Sequence, residues 1–161
     1  MHVWNAVLEH AEHTESVVQN EHGVILRNER GETLAAEGRK YENLADALTA
    51  EALAARNGLL LAVALGYNKV ILELDNQSLA NSLNSVEDDR STISVFGKES
   101  KSWADLFLSF CISFVHRESN LAAHCSAKMP TVSETMWSSF GYAPDWLLGV
   151  VTKDCDSAVN Q

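Results

Sequence analysis

Residues 44–78 read LADALTAEALAARNGLLLAVALGYNKVILELDNQS and combine a helix, a turn and a strand. The first part predicts a long helix, because its apolar residues recur at steps that keep them on one face. These residues are Leu44, Leu48, Ala55, Leu59 and Ala62. Gly66 is typical of the residue that follows a helix C-terminus, and residues 67–69 form a turn into the next element. This order predicts a helix that packs across a sheet and then returns into it.

Two acids stand out in this segment. Glu51 falls within the apolar stripe of the helix, where a carboxylate is costly unless a cation, a proton or hydrogen bonds compensate it. Asp75 ends the apolar run Val70–Leu74, which is typical of a strand covered on both faces. Because ligands in open α/β sheets bind beyond the carboxyl ends of strands, the two acids form a candidate cation site. The structural alternative is that Asp75 or Asn76 caps a short helix over Gln77–Leu83.

Length and composition limit the class of protein. With 161 residues, 46% of them hydrophobic, we expect one domain over residues 1–161, with a flexible polar tail over 151–161. The net charge, 22 acidic minus 12 basic residues or −10, argues against a broad phosphate-binding surface. Cys111, Cys125 and Cys155 show no metal-ligand spacing, which favours reduced thiols. No apolar run has transmembrane length, and no signal peptide is recognisable, so we expect an intracellular protein, nuclear or cytoplasmic, that does not bind membranes.

The remaining elements predict an α/β fold. Before residues 44–78, we expect a strand at Val3–Leu8 and a hairpin of Gly23–Leu26 and Thr33–Ala36. After residues 44–78, we expect an amphipathic helix that runs to about Ser109, a strand at Cys111–Val115 and a helix capped by Ser119 or Asn120. The aromatic residues near the C-terminus are expected to pack across the domain. Antiparallel strands followed by βα crossovers predict a mixed sheet with helices on its faces.

Four stretches carry a family resemblance. They are GVILRNERGETLAA, AEALAARNGLLLAVALGYNKVILELDNQSLANSLN, SFVHRESNLAAHCSA and APDWLL, in that order. Over about residues 20–150 the chain resembles the ribonuclease H type 1 domain, in the divergent, reverse-transcriptase-like form abundant in plants. The resemblance implies a ribonuclease H-like fold, with a five-stranded mixed sheet and helices on both faces. It also implies an endonuclease that uses Mg²⁺ or Mn²⁺ to hydrolyse the RNA strand of an RNA–DNA hybrid.

The resemblance assigns roles residue by residue. Glu51 and Asp75 match two metal-binding, catalytic carboxylates. Arg117, Asn120 and His124 fall on an R-x-x-N-x-x-x-H segment. Arg117 and Asn120 are then expected to bind nucleic acid. His124 is a poor ligand for Mg²⁺ and is expected to act as a proton shuttle or phosphate contact.

The first strand departs from the family pattern. Members carry a V-D-x-x-F-like segment there, whose aspartate bridges two metal ions. Counting back from Arg27 leads to His10, with Glu9 beside it, and the chain has no aspartate before Asp46. Either Glu9 substitutes for the aspartate or that ligand is lost, so we expect the cation to be weakly held. The alternatives to an enzyme are a nucleic-acid-binding module that cleaves poorly and a protein-interaction scaffold.

Overall fold

One mixed sheet organises the described part of the chain. The computed structural model describes residues 5–11 (the backbone of one strand), 20–41, 47–85, 102, 105–129 and 135–151. The strands are β1 (Asn5–Ala11), β2 (Asn20–Arg27), β3 (Thr33–Tyr41), β4 (Lys69–Leu74), β5 (Ser109–Phe114) and β6 (Met136–Phe140). Their order across the sheet is β5-β4-β1-β2-β3-β6. The β1–β4 and β4–β5 pairs are parallel, and the other pairs are antiparallel. All five predicted strands are therefore present.

The hairpin between β2 and β3 closes through local hydrogen bonds. The Oδ1 atom of Asn28 accepts hydrogen bonds from the backbone N–H groups of Arg30, at 3.0 Å, and Glu32, at 2.9 Å. Gly31 has a φ of 76°, a conformation that a residue with a Cβ rarely adopts. The predicted glycine turn is confirmed.

The long helix, α1 (Ala47–Ala64), ends as its sequence predicts. Gly66 has a φ of 79°, and its N–H donates to the carbonyl of Val63 at 2.9 Å. The N–H of Tyr67 donates to the carbonyl of Ala62 at 3.0 Å. These two bonds satisfy carbonyls at the end of the helix and turn the chain toward β4.

Helices cover both faces of the sheet, as predicted. Alternate residues of β2 show this, because Val24 and Leu26 lie in one hydrophobic core and Ile25 lies in the other. The first core includes residues of α1 and of α2 (Gln77–Asn84). The second includes residues of α3 (Leu121–Ala127) and of α4 (residues 145–151). No helix in the described ranges has the length and apolarity needed to cross a membrane.

Two local predictions are wrong. Residues 105–108 form turns and bends instead of the end of a helix, because the N–H groups of Leu108 and Ser109 donate to the carbonyl of Asn68 and start β5. In β4, Val70, Leu72 and Leu74 are buried, but the alternate positions are only half-buried. Among the described elements, α3 contacts chiefly β1, β2 and β3, so it does not cover that face of β4.

The C-terminal aromatic segment adds structure that the sequence patterns did not predict. β6 pairs with β3, and Trp137 of β6 packs against the second core and contacts Trp146 of α4 edge to face at 5.1 Å. Of the predicted tail, Val151 is buried, and residues 152–161 lie outside the described residues.

Candidate functional site

Three parallel strands end at one edge of the sheet. Leu74, the last residue of β4, pairs with Leu8 on one side and Phe114 on the other. The N–H of Val115 donates to the carbonyl of Leu74 at 2.9 Å, which extends the β4–β5 ladder by one bond. Asp75 follows directly. In open α/β sheets this is the edge where ligands bind.

Asp75 is not the residue that caps α2. The Oδ1 atom of Asn76 accepts a hydrogen bond from the N–H of Leu79 at 3.0 Å, so Asn76 is the N-cap. Asp75 is half-buried at the end of the strand. The capping role considered for Asp75 or Asn76 therefore falls to Asn76.

Glu51 lies in the first half of α1, near the same edge. β3 runs in the same direction as β4, because both follow the direction of β1. Tyr41, at the end of β3, therefore lies at the edge where Asp75 lies, and α1 leads from that edge back to the start of β4. Glu51 is half-buried, and its Oε2 atom is inaccessible to solvent. The expected acid on the buried side of the helix is present.

Arg117 and Asn120 belong to a short turn that follows β5. A 3₁₀ turn covers Arg117–Asn120 and contacts β1. Arg117 is exposed, whereas Asn120 is fully buried. Asn120 precedes α3 but makes no side-chain cap, contrary to the capping role considered for it from sequence. The turn thus places an arginine at the surface and an amide in the interior.

His124 lies on α3 in a positively charged environment. Desolvation by burial, together with the smaller effects of the charges of Lys128 and Arg117, lowers the pKa of His124 from 6.5 to about 4. The imidazole is therefore neutral at pH 7. Lys128 was missed by the sequence-based interpretation, although its spacing of four residues from His124 on one helix was a usable signal.

A buried polar cluster connects α1 to the hairpin and was also missed. His22 is fully buried and stacks on Tyr41 with ring centroids 4.9 Å apart. The Nδ2 atom of Asn57 donates to the hydroxyl of Tyr41 at 2.9 Å and lies 3.4 Å from the Nε2 atom of His22. These contacts fix the position of the helix that carries Glu51. A polar Asn57 in a largely apolar helix was the available signal.

The described side chains supply only part of a metal centre. Carboxylates such as those of Glu51 and Asp75 suit Mg²⁺, which is often held by one or two carboxylates together with substrate phosphates. Among the side chains that the structure describes, no three of His, Cys, Asp and Glu group as metal ligands. The side chains of Glu9 and His10 lie outside the described residues, although the backbone of Glu9 pairs with Gly23. The donor chemistry fits a weakly held divalent cation.

Comparisons with known proteins agree with this architecture. Residues 12–130 match the model of the family described as reverse transcriptase-like. No curated protein matches the sequence. RNase H1 from the halophilic archaeon Halobacterium salinarum NRC-1 superposes with a TM-score of 0.69 at 20% identity, over 78% of this chain and 94% of that one.

Two further structures show the same fold. The N-terminal RNase H domain of a Mycobacterium tuberculosis protein, solved as a fusion with maltose-binding protein, gives a TM-score of 0.68 at 13% identity, over 98% of this chain and 99% of that one. LC11-RNase H1, solved in complex with an RNA/DNA hybrid, gives a TM-score of 0.64 at 14% identity, over 77% of this chain and 91% of that one. The chain belongs to the reverse transcriptase-like family and has the ribonuclease H fold.

Proposed function

We propose that this domain binds RNA–DNA hybrids and hydrolyses their RNA strand with the help of a divalent cation. The observation that carries the proposal is the position of Asp75, which follows β4 at the ligand-binding edge of the sheet while Asn76 takes the capping role. Glu51 lies on α1 toward the same edge. The solved relative LC11-RNase H1, crystallised with an RNA/DNA hybrid, supports this substrate class by analogy of fold.

In this proposal, Glu51 and Asp75 hold Mg²⁺ or Mn²⁺. Both are hard oxygen donors, and each contributes a negative charge that an amide at the same position lacks. A bound divalent cation supplies Lewis-acid stabilisation of the charge that develops on the scissile phosphate. With only two secure carboxylates, we expect weak binding of the cation in the absence of substrate.

His124 and its neighbours act on the phosphate backbone. Arg117 and Lys128 are exposed cations close enough to His124 to lower its pKa. A bound phosphate offsets their charge and so raises the pKa of His124, which favours transfer of a proton between the imidazole and the substrate. Asn120 is fully buried in the same short turn that presents Arg117. Discrimination of RNA from DNA then comes from contacts to the 2′-hydroxyl groups in the minor groove of the hybrid.

The test is cleavage of a labelled RNA–DNA hybrid in Mg²⁺ or Mn²⁺, compared with single-stranded RNA and duplex DNA. We expect slow cleavage of the hybrid by the wild type and none by Asp75→Asn or Glu51→Gln. Asp105→Asn is the matched control, because Asp105 is an exposed aspartate that precedes β5, at the opposite edge of the sheet. Equal cleavage by the wild type and Asp75→Asn would show that the activity comes from another site or a contaminant.

The second candidate function is hybrid binding without cleavage, and the cluster of Arg117, His124 and Lys128 favours it. A protein that binds the hybrid with an affinity that falls as salt rises, but never cuts it, has this function. Replacing Arg117 or Lys128 by Met then weakens binding, whereas Asp75→Asn leaves binding unchanged or strengthens it. These opposite responses separate the two functions.

A further inference from the structure

The outer edge of β6 presents an unusual strand. β6 lies at the end of the sheet, beyond β3, and has the sequence Met-Trp-Ser-Ser-Phe. Natural edge strands usually carry charges, prolines or bulges that prevent pairing with another chain. β6 has neither a charged residue nor a proline, and Met136 and Phe140 are 51% and 53% exposed. Within the described ranges, β3 is its strand partner.

The pairing of β6 with β3 determines which backbone groups of β6 point toward β3 and which point outward. The N–H of Lys40 donates to the carbonyl of Thr135 at 2.8 Å, and the N–H of Gly141 donates to the carbonyl of Leu34 at 2.7 Å. In an antiparallel pair, hydrogen-bonded positions alternate with positions whose polar groups point away. Trp137 and Ser139 therefore bond to β3. The outward N–H and C=O groups belong to the alternate residues, which are Met136, Ser138 and Phe140.

We propose that β6 pairs antiparallel with β6 of a second copy of this chain, about a two-fold axis at Ser138. In this register, each residue whose backbone N–H and C=O groups point away from β3 lies opposite another such residue. Ser138 faces Ser138 of the other copy, and Met136 faces Phe140 of the other copy. The seam therefore joins small hydroxyls at its centre and a thioether with an aromatic ring on each side, a favourable contact. An isologous contact of this kind closes after two copies.

The charges of the described residues near the seam do not oppose this pairing. The chain has a net charge of −10, but no charged residue lies in β6 itself. The nearest charged residues on β3 are Glu37 and Arg39, which pair with Ser138 and Met136 in the register and form an ion pair with each other. Their charges compensate, so the repulsion between two copies is not concentrated here. The ends of the parallel strands, where Asp75 lies, belong to the other half of the sheet and stay accessible.

The first experiment is sedimentation velocity on the full chain, from about 1 to about 100 µM, because a short seam predicts a weak, concentration-dependent dimer. Ser138→Pro removes one outward N–H and leaves the bonds of Trp137 and Ser139 to β3, so the domain folds and the dimer is lost. Ser138→Ala keeps the backbone donor and retains the dimer. Circular dichroism verifies folding. A wild type that stays monomeric over this range overturns the proposal. A wild type that stays monomeric but binds a peptide from another protein along β6 overturns it as well.

Charge swaps test the register independently of the proline variant. Met136→Lys alone and Phe140→Glu alone each place a charge against an apolar side chain, and each weakens dimerisation by about tenfold or more. The double variant opposes Lys to Glu on both sides of the axis and recovers affinity. Wild-type dimers that are insensitive to Ser138→Pro, or a double variant as weak as the single variants, contradict this register.

Discussion

A Cβ atom on Gly23 would lie 2.1 Å from the carbonyl oxygen of Ala123, so α3 packs directly on the backbone of β2. It would also lie 2.7 Å from the backbone nitrogen of Ala127. This close approach seats the helix that carries His124 and brings it over β1 and β2. The absence of a side chain at residue 23 therefore determines where His124 and Lys128 lie above the sheet.

Gly23→Ala is expected to lower the free energy of unfolding by about 3 kcal/mol, because the backbone of α3 must shift to admit a methyl group. Urea unfolding followed by circular dichroism measures the loss. Gly149→Ala is the matched control, since its Cβ meets nothing within 4 Å and its helical position favours alanine. We expect Gly149→Ala to be neutral or slightly stabilising. Equal stability of the two variants would contradict the close packing of α3 on β2.

Arg27 and Glu73 form an ion pair across β1, with Nη2 and Oε2 atoms 3.5 Å apart and side chains only 7% and 17% exposed. Arg27→Met leaves a carboxylate in a poorly hydrated place and is expected to cost about 3 kcal/mol of unfolding free energy. The double variant Arg27→Met/Glu73→Leu removes both charges and should lie within about 1 kcal/mol of the wild type.

A double-mutant cycle from urea unfolding measures the coupling between these two residues. Arg30→Met serves as the control because Arg30 is exposed in the hairpin turn. Additive effects of the Arg27 and Glu73 substitutions would show that the pair does not stabilise the sheet.

The stability of the domain should depend on pH through His124. Its pKa in the folded state, about 4, is below the value of 6.5 for an exposed histidine, so the unfolded state binds the proton more tightly. The stabilising contribution is complete above pH 6.5 and is lost progressively as the pH falls toward 4. His124→Asn, which does not titrate, should lose less stability over the same interval. Unfolding curves for both proteins from pH 7 to pH 4 test this, and parallel pH profiles would contradict it.

Cation binding is expected to be weak. With a dissociation constant on the order of 1 mM, about 10 mM Mg²⁺ stabilises the fold by about 1.4 kcal/mol. The increase in melting temperature should disappear in Asp75→Asn and persist in Asp105→Asn. Sodium chloride at matched ionic strength controls for general screening. A shift that survives in Asp75→Asn would exclude Asp75 as a ligand.

Restoring an aspartate in β1 should increase hybrid cleavage. Leu8 and Leu74 form the last pair between β1 and β4. Glu9 comes directly after this pair in β1, just as Asp75 comes directly after it in β4. An aspartate is one methylene shorter than a glutamate and is the residue that the family pattern predicts in this strand. Glu9→Asp or His10→Asp is expected to raise the single-turnover rate on a hybrid, and Glu9→Gln is expected to lower it. Rates unchanged in all three variants would remove the first strand from the site.

Local sequence patterns were sufficient for much of the fold. The apolar stripe of α1, the glycine that ends it and the apolar run of β4 each reflect interactions between residues close in the chain. The same holds for the hairpin turn at Gly31. The two acids of the candidate site were recognisable because Glu51 interrupts an apolar stripe and Asp75 ends a strand.

Tertiary structure decided the features that depend on residues distant in sequence. The choice of Asn76 over Asp75 as the cap follows from how the chain leaves β4, and the start of β5 at Ser109 follows from bonds to Asn68. The lowered pKa of His124 arises from the burial of α3 against the sheet and from the nearby charge of Arg117. β6 forms only because β3 offers it an open edge. Periodicity describes which face of an element is apolar, but pairing across the sheet decides what each face meets.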